Sequence, residues 1–308
     1  MANEIHTEFV EANGLRFETD MCGQGEKLAL LLHGFPESKH SWRAQLPVFA
    51  EHGYTAWAPN LRGYGQSSRP LGKMKYTLDH LTDDVAGMID AARARGITGP
   101  VTLVGHDWGG AVAWQFVLQK KRPLERFIVM NLPHPALFWK GVRKWQQLKK
   151  SWYMFFFQIP WLPEQMMLAR HAKAIGEAFT GNAIDKSRFP EDVVEHYRQN
   201  ALLPGALTAM MNYYRASFSA ETPKEWIDPP MVEVPTLMIW GEEDFALGKE
   251  LTYGTDKLVK DFTLRYLPKV SHWVQQEAPE KVNAMLSAWL EGKPVPEAGE
   301  IEVKREAA

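Results

Sequence analysis

The sequence is poor in cysteine and has no long apolar run. Its 308 residues include one cysteine, Cys22, which excludes a disulfide within the chain and gives no sign of an oxidising compartment. The most apolar stretch, Trp152 to Leu162, is too short to span a bilayer and contains Gln158 and Pro160. The N-terminus lacks the basic and apolar regions of a signal peptide. These absences predict a soluble, cytoplasmic protein with no membrane partner.

An excess of one charge and the motifs of cofactor sites are also lacking. The formal net charge is −2, which leaves no electrostatic footprint for nucleic acid. Neither the H-E-x-x-H spacing of a zinc site nor a G-x-G-x-x-G loop occurs, so no metal and no organic cofactor is predicted. With 45% hydrophobic residues, the chain is long enough for one large domain with an insertion. We expect a small-molecule substrate and a monomer or homodimer.

Short apolar runs alternate with amphipathic segments in the first and last parts of the chain. The runs predict buried parallel strands, and these are Leu28–Leu32, Tyr54–Ala58, Val101–Val104, Phe127–Met130, Thr236–Trp240 and Thr263–Leu267. Helical spacing of apolar residues predicts helices over Ser41–Glu51, Asp79–Ala94 and Pro279–Trp289. Such alternation is typical of an α/β fold with helices on both faces of a parallel sheet.

The middle of the chain follows a different pattern. Between Pro135 and Ile227 no strand-like run occurs, and aromatic and Met-rich helical segments dominate. Pro133-His134-Pro135 and Pro229-Pro230 suit hinges because proline fixes φ and interrupts helix and sheet alike. We therefore predict an α/β core, residues 1–134 and 230–308, interrupted by an all-helical cap domain, residues 135–229. Residues 292–308, rich in Pro, Gly, Glu and Lys, are expected to form a loose tail.

A glycine-framed turn follows the third predicted strand. In Gly105-His106-Asp107-Trp108-Gly109 the strand passes directly into an Ala-rich helix, as in the sharp turns that lift a nucleophile clear of a sheet. The carboxylate of Asp107 is ionised at neutral pH and needs no base before it attacks carbon, and the helix N-terminus favours an anion there. An aspartate that only caps the helix is the alternative, but it does not explain the glycines. Asp107 is the predicted covalent nucleophile.

An ester on Asp107 would need an activated water for its hydrolysis. Asp244 and His272 follow the last two predicted strands, where an orienting acid and a general base should lie. Glu242 and Glu243 are alternatives to Asp244 for the orienting role.

Backbone donors for the oxyanion of that hydrolysis are predicted at two places. One is the N–H of Trp108, directly after the nucleophile, and the other is the N–H of Phe35 in the loop His33-Gly34-Phe35-Pro36. Gly34 permits a close backbone approach there. His33 and His106 lie near the same site, at positions where we expect packing roles.

These motifs together resemble the epoxide hydrolase branch of the α/β-hydrolase family. The resemblance covers Phe9 to about Leu290 and rests on His33–Pro36, Arg62-Gly63-Tyr64-Gly65, Gly105–Gly110, Asp244 and His272-Trp273. It implies an α/β-hydrolase fold with a helical cap, attack of the aspartate on an epoxide carbon, and release of a vicinal diol, with a role in detoxification. Asn60 and Ser271 depart from the family's usual Asp and Gly, at positions that make no chemistry.

The family's proton donors to the epoxide oxygen are two cap tyrosines. Similarity of the segments Tyr153–Pro160 and Asn212–Arg215 to those of the family implies that Tyr153 and Tyr214 are this pair. Helical spacing independently favours Tyr214 over Tyr213, because it places Tyr214 on one apolar stripe with Leu207, Met210, Met211 and Phe218. Filling of an aromatic interior is the alternative role for both tyrosines. If the helix register differs, Tyr213 would enter the site instead.

The core motifs are shared with haloalkane dehalogenases, which use the same nucleophile. In such an enzyme the indole N–H of Trp108 would hold the halide, but Phe35 occupies the position where a second donor, an Asn, often stands. Fluoroacetate dehalogenases carry arginines around the turn, whereas Trp108 and Ala111 stand here. A non-catalytic scaffold or ligand sensor is a further alternative, although such proteins tend to lose a catalytic residue.

The substrate pocket is predicted from the aromatic and Met content of the cap and the turn. Its expected lining residues are Trp108, Trp139, Phe155 and Met211. They indicate a small apolar epoxide with a bulky, aromatic substituent, and water as the second substrate.

Overall fold

One eight-stranded sheet forms the centre of the computed structural model, which describes residues 4–142 and 145–303. Its strands are β1 (His6–Ala12), β2 (Leu15–Cys22), β3 (Lys27–Leu32), β4 (Tyr54–Pro59), β5 (Val101–His106), β6 (Arg126–Met130), β7 (Thr236–Gly241) and β8 (Phe262–Leu267). They lie in the order β1-β2-β4-β3-β5-β6-β7-β8. The pairs from β4 to β8 are parallel, and the six strands predicted from apolar runs correspond to β3 through β8.

The sheet also has an antiparallel edge that the sequence prediction omitted. β1 and β2 form a hairpin, and β2 pairs antiparallel with β4. The tight turn between them is Asn13-Gly14, with φ of 50° and 69°. Asn-Gly is the residue pair that such two-residue hairpin turns favour. Most of β1 is exposed, so the apolar run that marks a buried strand is missing there.

Alternate strand residues point to opposite sides of the sheet. Because both sets are apolar in the central strands, helices cover both faces. Leu30 of β3 joins the apolar cluster on one face and Leu31 joins the cluster on the other. The first cluster includes residues of α2 (Leu78–Ala94) and α3 (Trp108–Gln119), and the second includes residues of α1 (Leu46–Glu51) and α12 (Pro279–Leu290). The helix predicted from Ser41 begins only at Leu46, because Pro47 would lie in the interior of the longer helix.

Among the described residues, the segment between β6 and β7 contains helices and no strand. Its helices are α4 (Pro135–Gly141), α5 (Trp145–Lys150), α6 (Trp152–Phe156), α7 (Leu162–Thr180), α8 (Glu191–Leu202), α9 (Ala206–Ser219) and α10 (Lys224–Ile227). A kink interrupts α7, where Arg170, His171 and Ala172 all have positive φ. The short helix α11 (Val274–Glu277) follows the loop after β8.

The prediction of a loose tail is wrong for residues 292–303. Val295 and Ala298 are buried in the apolar cluster of α1 and α12. The guanidinium of Arg265 donates to the carbonyl oxygens of Val295 (2.6 Å) and Pro296 (3.2 Å). Two spaced apolar side chains and one arginine therefore anchor a segment whose composition resembles that of a linker. Residues 304–308 lie outside the described residues.

Candidate active site

Asp107 lies at a strained turn between β5 and α3. Its φ of 48° and ψ of -121° are rare for a residue with a side chain. The carboxylate makes no capping hydrogen bond to α3; its Oδ1 accepts instead from the backbone N–H of Phe35, at 2.8 Å. A Cβ on Gly109 would lie 2.1 Å from the carbonyl oxygen of Leu32, so the turn requires glycine there. The geometry rules out helix capping as the role of Asp107.

His272 lies between two carboxylates at the carboxyl ends of the strands. Its Nε2 is 3.5 Å from Oδ2 of Asp107, and its Nδ1 is 2.7 Å from Oδ2 of Asp244. Asp244 is therefore the member of the three candidate acids that contacts the imidazole, whereas Glu242 pairs with Lys249. This arrangement places Nδ1–H on Asp244 and directs Nε2 toward Asp107, as a general base acting beside that carboxylate would require.

Neighbouring charges set the protonation states of His272 and Asp107. Burial lowers the pKa of His272, but the carboxylates of Asp244 and Asp107 outweigh it and raise that pKa to about 10. For Asp107 burial acts in the opposite direction and raises the pKa. The hydrogen bond to His272, the nearby charge of His106 and the Phe35 N–H outweigh burial and leave this pKa below its ordinary value. At neutral pH the resting site therefore holds an imidazolium between two carboxylates.

Asn131, which the sequence analysis did not select, fixes the position of Asp244. It follows β6 directly, with a positive φ of 42°. Its Nδ2 donates to Oδ2 of Asp244 at 2.6 Å, and its Oδ1 accepts from the N–H of Gly241 at 2.9 Å. The other oxygen of Asp244 accepts from the backbone N–H groups of Ala246 and Leu247. The position of Asn131 at the carboxyl end of a central strand was the signal that could have identified it.

A buried contact between a histidine and a carboxylate lies beneath the turn. The Nδ1 of His106 is 2.7 Å from Oε2 of Glu37, and its Nε2 is 2.8 Å from the carbonyl oxygen of His272. Both ring nitrogens of His106 therefore face acceptors. Gln275 and Gln276 donate to the other oxygen of Glu37. His106 thus does more than fill space, since it links Glu37 to the backbone of His272.

His33 has the packing role expected of it. Its Nδ1–H donates to the carbonyl of Gly34 at 2.9 Å, and its Nε2 accepts from the N–H of Leu61 at 3.1 Å. Burial lowers its pKa to about 4, so the ring stays neutral and joins two loops of the core.

Tyr153 of α6 and Tyr214 of α9 lie above Asp107. Their ring centroids are 5.9 Å apart, and the ring of Tyr214 stands edge-on to that of Trp108 at 5.0 Å. Burial, together with the negative charge of Asp107, raises the pKa of both phenols. Both therefore keep their protons at neutral pH. Tyr213 points away from the site, because its hydroxyl donates to the carbonyl of Arg62 at 2.8 Å.

Two cavity lobes meet at Asp107, Tyr153 and Tyr214, all of which line both lobes. The first lobe, of about 400 Å³, is lined by the three predicted pocket residues Trp108, Trp139 and Phe155. The second lobe, of about 640 Å³, is lined by residues that include Phe35, Trp152, Phe156, Met167 and His272.

The prediction that Met211 lines the pocket is wrong. Its side chain is fully buried in the main apolar cluster and belongs to neither lobe. On α9 the lining positions are Tyr214, Ser217 and Phe218, one to two turns further along the helix. Helical spacing put Met211 on the same stripe as Tyr214, but only the last part of that stripe faces the cavity.

Two kinds of feature are missing from the part of the chain that the structure describes. No group of three or more His, Cys, Asp or Glu side chains is placed to hold a metal ion in residues 4–142 and 145–303. Within the same residues, no helix is both long enough and apolar enough to cross a bilayer.

The fold and this site define a known family. Residues 29–279 match the family model described as alpha/beta hydrolase fold. The chain belongs to the α/β-hydrolase fold family, and within it to the epoxide hydrolase branch. Human Epoxide hydrolase 4 is 38% identical to it over 91% of this chain and 77% of the human protein. The AB hydrolase superfamily protein YfhM of Bacillus subtilis is 33% identical over 94% of this chain and 99% of its own length.

Solved structures agree with this membership. The Bacillus megaterium epoxide hydrolase, determined in complex with an inhibitor, superposes with a TM-score of 0.83 and 28% identity, covering 92% of this chain and 100% of its own. Epoxide hydrolase VrEH1 from Vigna radiata gives a TM-score of 0.79 and 26% identity over 94% of this chain and 98% of its own. The α/β-hydrolase fold and the epoxide hydrolase family that the motifs predicted are confirmed.

Proposed function

We propose that the protein hydrolyses apolar epoxides to vicinal diols through an ester on Asp107. The observation that carries this proposal is the convergence of Asp107, Tyr153 and Tyr214 where the two cavity lobes meet. An epoxide bound at this junction has a carboxylate on one side and two phenol donors on the other. The apolar lining of both lobes suits a substrate with bulky, uncharged substituents.

In the first step, a carboxylate oxygen of Asp107 attacks an epoxide carbon, and the ring carbon–oxygen bond breaks. The ring oxygen takes a proton from Tyr153 or Tyr214, whose phenols remain protonated at neutral pH. The His272 imidazolium then replaces the proton that the phenol has lost. Esterification supports this transfer, because it removes the negative charge of Asp107 that helps to hold the proton on His272.

In the second step, the neutral Nε2 of His272 takes a proton from water, and the water oxygen attacks the ester carbonyl carbon. The backbone N–H of Phe35, which donates to Oδ1 of Asp107 in the structure, stabilises the oxyanion together with the N–H of Trp108. Collapse of the oxyanion breaks the ester, and the departing alkoxide takes the proton from the imidazolium. The Asp107 carboxylic acid that remains returns its proton to His272, which restores the resting site.

The helical insertion acts in this proposal as a cap. Its residues 135–229 supply both tyrosines and most of the apolar lining, and the core, residues 1–134 and 230–308, supplies Asp107, Asp244 and His272. The site is assembled where the two parts meet. No cofactor takes part in either step.

A substrate comparison separates this proposal from its alternatives. Incubation with styrene oxide should yield the diol, and incubation with a chloroalkane should release no halide. Halide release without diol formation would instead identify a haloalkane dehalogenase that uses the same nucleophile. If no compound in a wider panel of epoxides and haloalkanes reacts with Asp107, the protein is a non-catalytic scaffold or sensor.

A single turnover in ¹⁸O-water tests the ester itself. Because water attacks the carbonyl carbon, one ¹⁸O atom should appear in the carboxylate of Asp107 and be found by mass analysis of its peptide. An active enzyme whose Asp107 stays unlabelled would show that water attacks the epoxide directly, and the proposed mechanism would be wrong.

A further inference from the structure

The first part of the cap carries basic charge and no acidic charge. Between Pro135 and Pro163 the sequence contains no Asp or Glu. Its basic residues are Lys140, Arg143, Lys144, Lys149 and Lys150. The same segment holds four of the chain's 12 tryptophans, and these are Trp139, Trp145, Trp152 and Trp161. In a chain of net charge −2, this segment is a local concentration of cations and indoles.

Many of the large apolar side chains of this segment lie in solvent. The exposed fractions are 68% for Trp145, 64% for Trp152 and 69% for Trp161. Phe155, Ile159 and Leu162 are also exposed, as is Met166 of α7 just beyond the segment. Phe218 of α9 joins them through its ring contact with Phe155 at 5.5 Å. We call the surface formed by these eight side chains the cap face. A concentration of exposed aromatic residues on one part of a protein indicates a binding surface.

The side chain of Arg215 holds the backbone of part of the cap face in place. Arg215 donates to the carbonyl oxygens of Phe157 (2.8 Å) and Ile159 (3.0 Å) and pairs with Glu164. Trp161, inside this turn, has a φ of 69°, an unfavourable conformation for a bulky residue. The indole of Trp161 is 69% exposed, so the backbone here presents it to solvent and not to the core of the chain.

The cap face surrounds the openings of the cavity. Phe155 and Phe218 line the first lobe and are exposed, and Trp152 and Met166 line the second lobe and are exposed. Residues that are exposed and also line a cavity mark its mouth. A surface that covers the cap face would therefore also face the entrance for substrate.

We propose that the cap face docks on an anionic lipid bilayer, so that the cavity opens toward the membrane. Tryptophan and phenylalanine side chains insert at the boundary between headgroups and acyl chains, and neighbouring lysines are attracted to anionic headgroups. The Nζ of Lys149 lies 5.2 Å from the ring of Trp145, so cation and indole are presented together. Residues 135–163 contain no acidic residue, and Glu164, which follows them, is paired with Arg215. A symmetric pairing of two copies through the cap face would bring two basic segments together, whereas an anionic bilayer attracts them. This inference differs from the initial expectation of no membrane partner, and it does not depend on the proposed reaction.

Vesicle flotation of the full-length protein tests the proposal. Binding should be strong to vesicles of phosphatidylcholine with 30% phosphatidylglycerol, about the proportion that gives an anionic surface, and weak to phosphatidylcholine alone. It should also fall as the salt concentration is raised from low to high, because ions screen the attraction. Brominated lipids should quench the tryptophan fluorescence of the bound protein. Equal binding to both vesicle types, or to neither, overturns the proposal without the use of any variant.

Variants then locate the contact. The double variant Trp145→Ser/Trp161→Asn removes two exposed indoles that line neither lobe, and it should weaken vesicle binding by more than about tenfold. Lys140→Gln should weaken it by about fivefold, the effect expected for one lysine at an anionic surface. The matched control, Leu71→Ser/Met231→Ser, also replaces two exposed apolar residues but lies outside the segment and should bind like the wild type.

Two further measurements separate other outcomes. All variants should keep the wild-type melting temperature and the wild-type rate on a water-soluble substrate, which shows that they fold. Equal loss of vesicle binding in the control variant would mean that the cap face is not the contact. Sedimentation without lipid should show no self-association that depends on Trp145 and Trp161. Such self-association would assign the cap face to a second copy and overturn the proposal.

Discussion

Two phenol groups distinguish an epoxide hydrolase from other enzymes with the same nucleophile. Replacing Tyr153 or Tyr214 by Phe should slow ester formation by about a hundredfold, the lower end of the effect of one general acid. Rapid-quench measurement of the alkylated enzyme gives this rate. Tyr213→Phe is the matched control: it removes a hydrogen bond to the Arg62 carbonyl and should cost about 1 kcal/mol of stability while ester formation continues. Unchanged ester formation in both Tyr153→Phe and Tyr214→Phe would refute their assignment as donors.

In the proposed mechanism, His272 has its main task after the ester has formed. In His272→Gln the carboxylate of Asp107 can still attack, but no base remains to activate water. The variant should therefore consume about one equivalent of epoxide, and its intact mass should rise by the mass of the substrate. Asp107→Asn should show no mass increase. Sustained diol formation by His272→Gln would mean that another group activates the water.

The difference between predicted and unpredicted residues at the site has a physical basis. Asp107 and His272 stand in local frames, a glycine turn and a strand end, that short segments of sequence reveal. Glu37 and Asn131 act through partners 69 and 113 positions away in the chain, His106 and Asp244. Such pairings depend on how distant segments meet. The strand-end position of Asn131 could have marked it as a site residue, but a single sequence does not record which partner it contacts.

The loop after β3 positions the Phe35 donor, and Gly34 makes this approach possible. A Cβ on Gly34 would lie 2.4 Å from Cβ and 2.6 Å from Oδ1 of Asp107. Gly34→Ala should therefore displace the nucleophile and reduce ester formation by at least about a hundredfold, since misplacement by about 1 Å has an effect of that size. Gly299→Ala, where nothing lies within 4 Å of the added carbon, should behave as the wild type. Alkylation rates and melting temperatures of both variants check this, and normal alkylation in Gly34→Ala would contradict the close approach.

The short helix α11 joins the cap to the loop that carries His272. One carboxylate oxygen of Glu277 accepts from the N–H groups of Ile184 and Asp185, both at 3.0 Å, and the other accepts from the N–H of Ser271 at 3.1 Å. Glu277→Ala should cost about 3 kcal/mol of stability, because buried donors lose their acceptor. It should also slow ester hydrolysis more than ester formation, because it releases the loop of the base.

Glu280 provides the matched control for Glu277. It also links the core to the cap, through Arg188, but its side chain is 41% exposed. Glu280→Ala should therefore cost less than about 1 kcal/mol. Denaturant unfolding and single-turnover kinetics distinguish the two variants. Equal effects of the two substitutions would show that the link through Glu277 has no special role.

Elements were predicted well where burial gave them a regular pattern. The parallel strands are apolar along their whole length because helices cover both faces, and the sequence shows this directly. The hairpin of β1 and β2 was missed because its outer strand faces solvent, although Asn13-Gly14 marks its turn. The tail was misjudged because its composition suggests a linker, while Val295 and Ala298 hold it on the core.

At the scale of the whole molecule, the ionised site makes stability depend on pH. The pKa of His272 is about 10 in the folded protein, and the ordinary value of a histidine is 6.5. A proton bound more tightly in the folded state stabilises that state fully below about pH 6.5, and this contribution disappears as the pH rises toward 10. One pKa unit corresponds to about 1.4 kcal/mol, so a few kcal/mol should be lost across this window.

The melting temperature of the wild type should therefore fall steadily between pH 7 and pH 9.5. The variant His272→Gln lacks the titrating group and should melt at nearly constant temperature over the same range. The difference in melting temperature between wild type and variant should therefore shrink as the pH rises. Asp107→Asn provides a second check on the same physics: it removes one of the two charges that hold the proton, so that variant should lose its alkaline dependence at a lower pH. A wild-type melting temperature that stays constant from pH 7 to pH 9.5 would show that His272 is neutral in the resting enzyme, and the imidazolium would have to be removed from the mechanism.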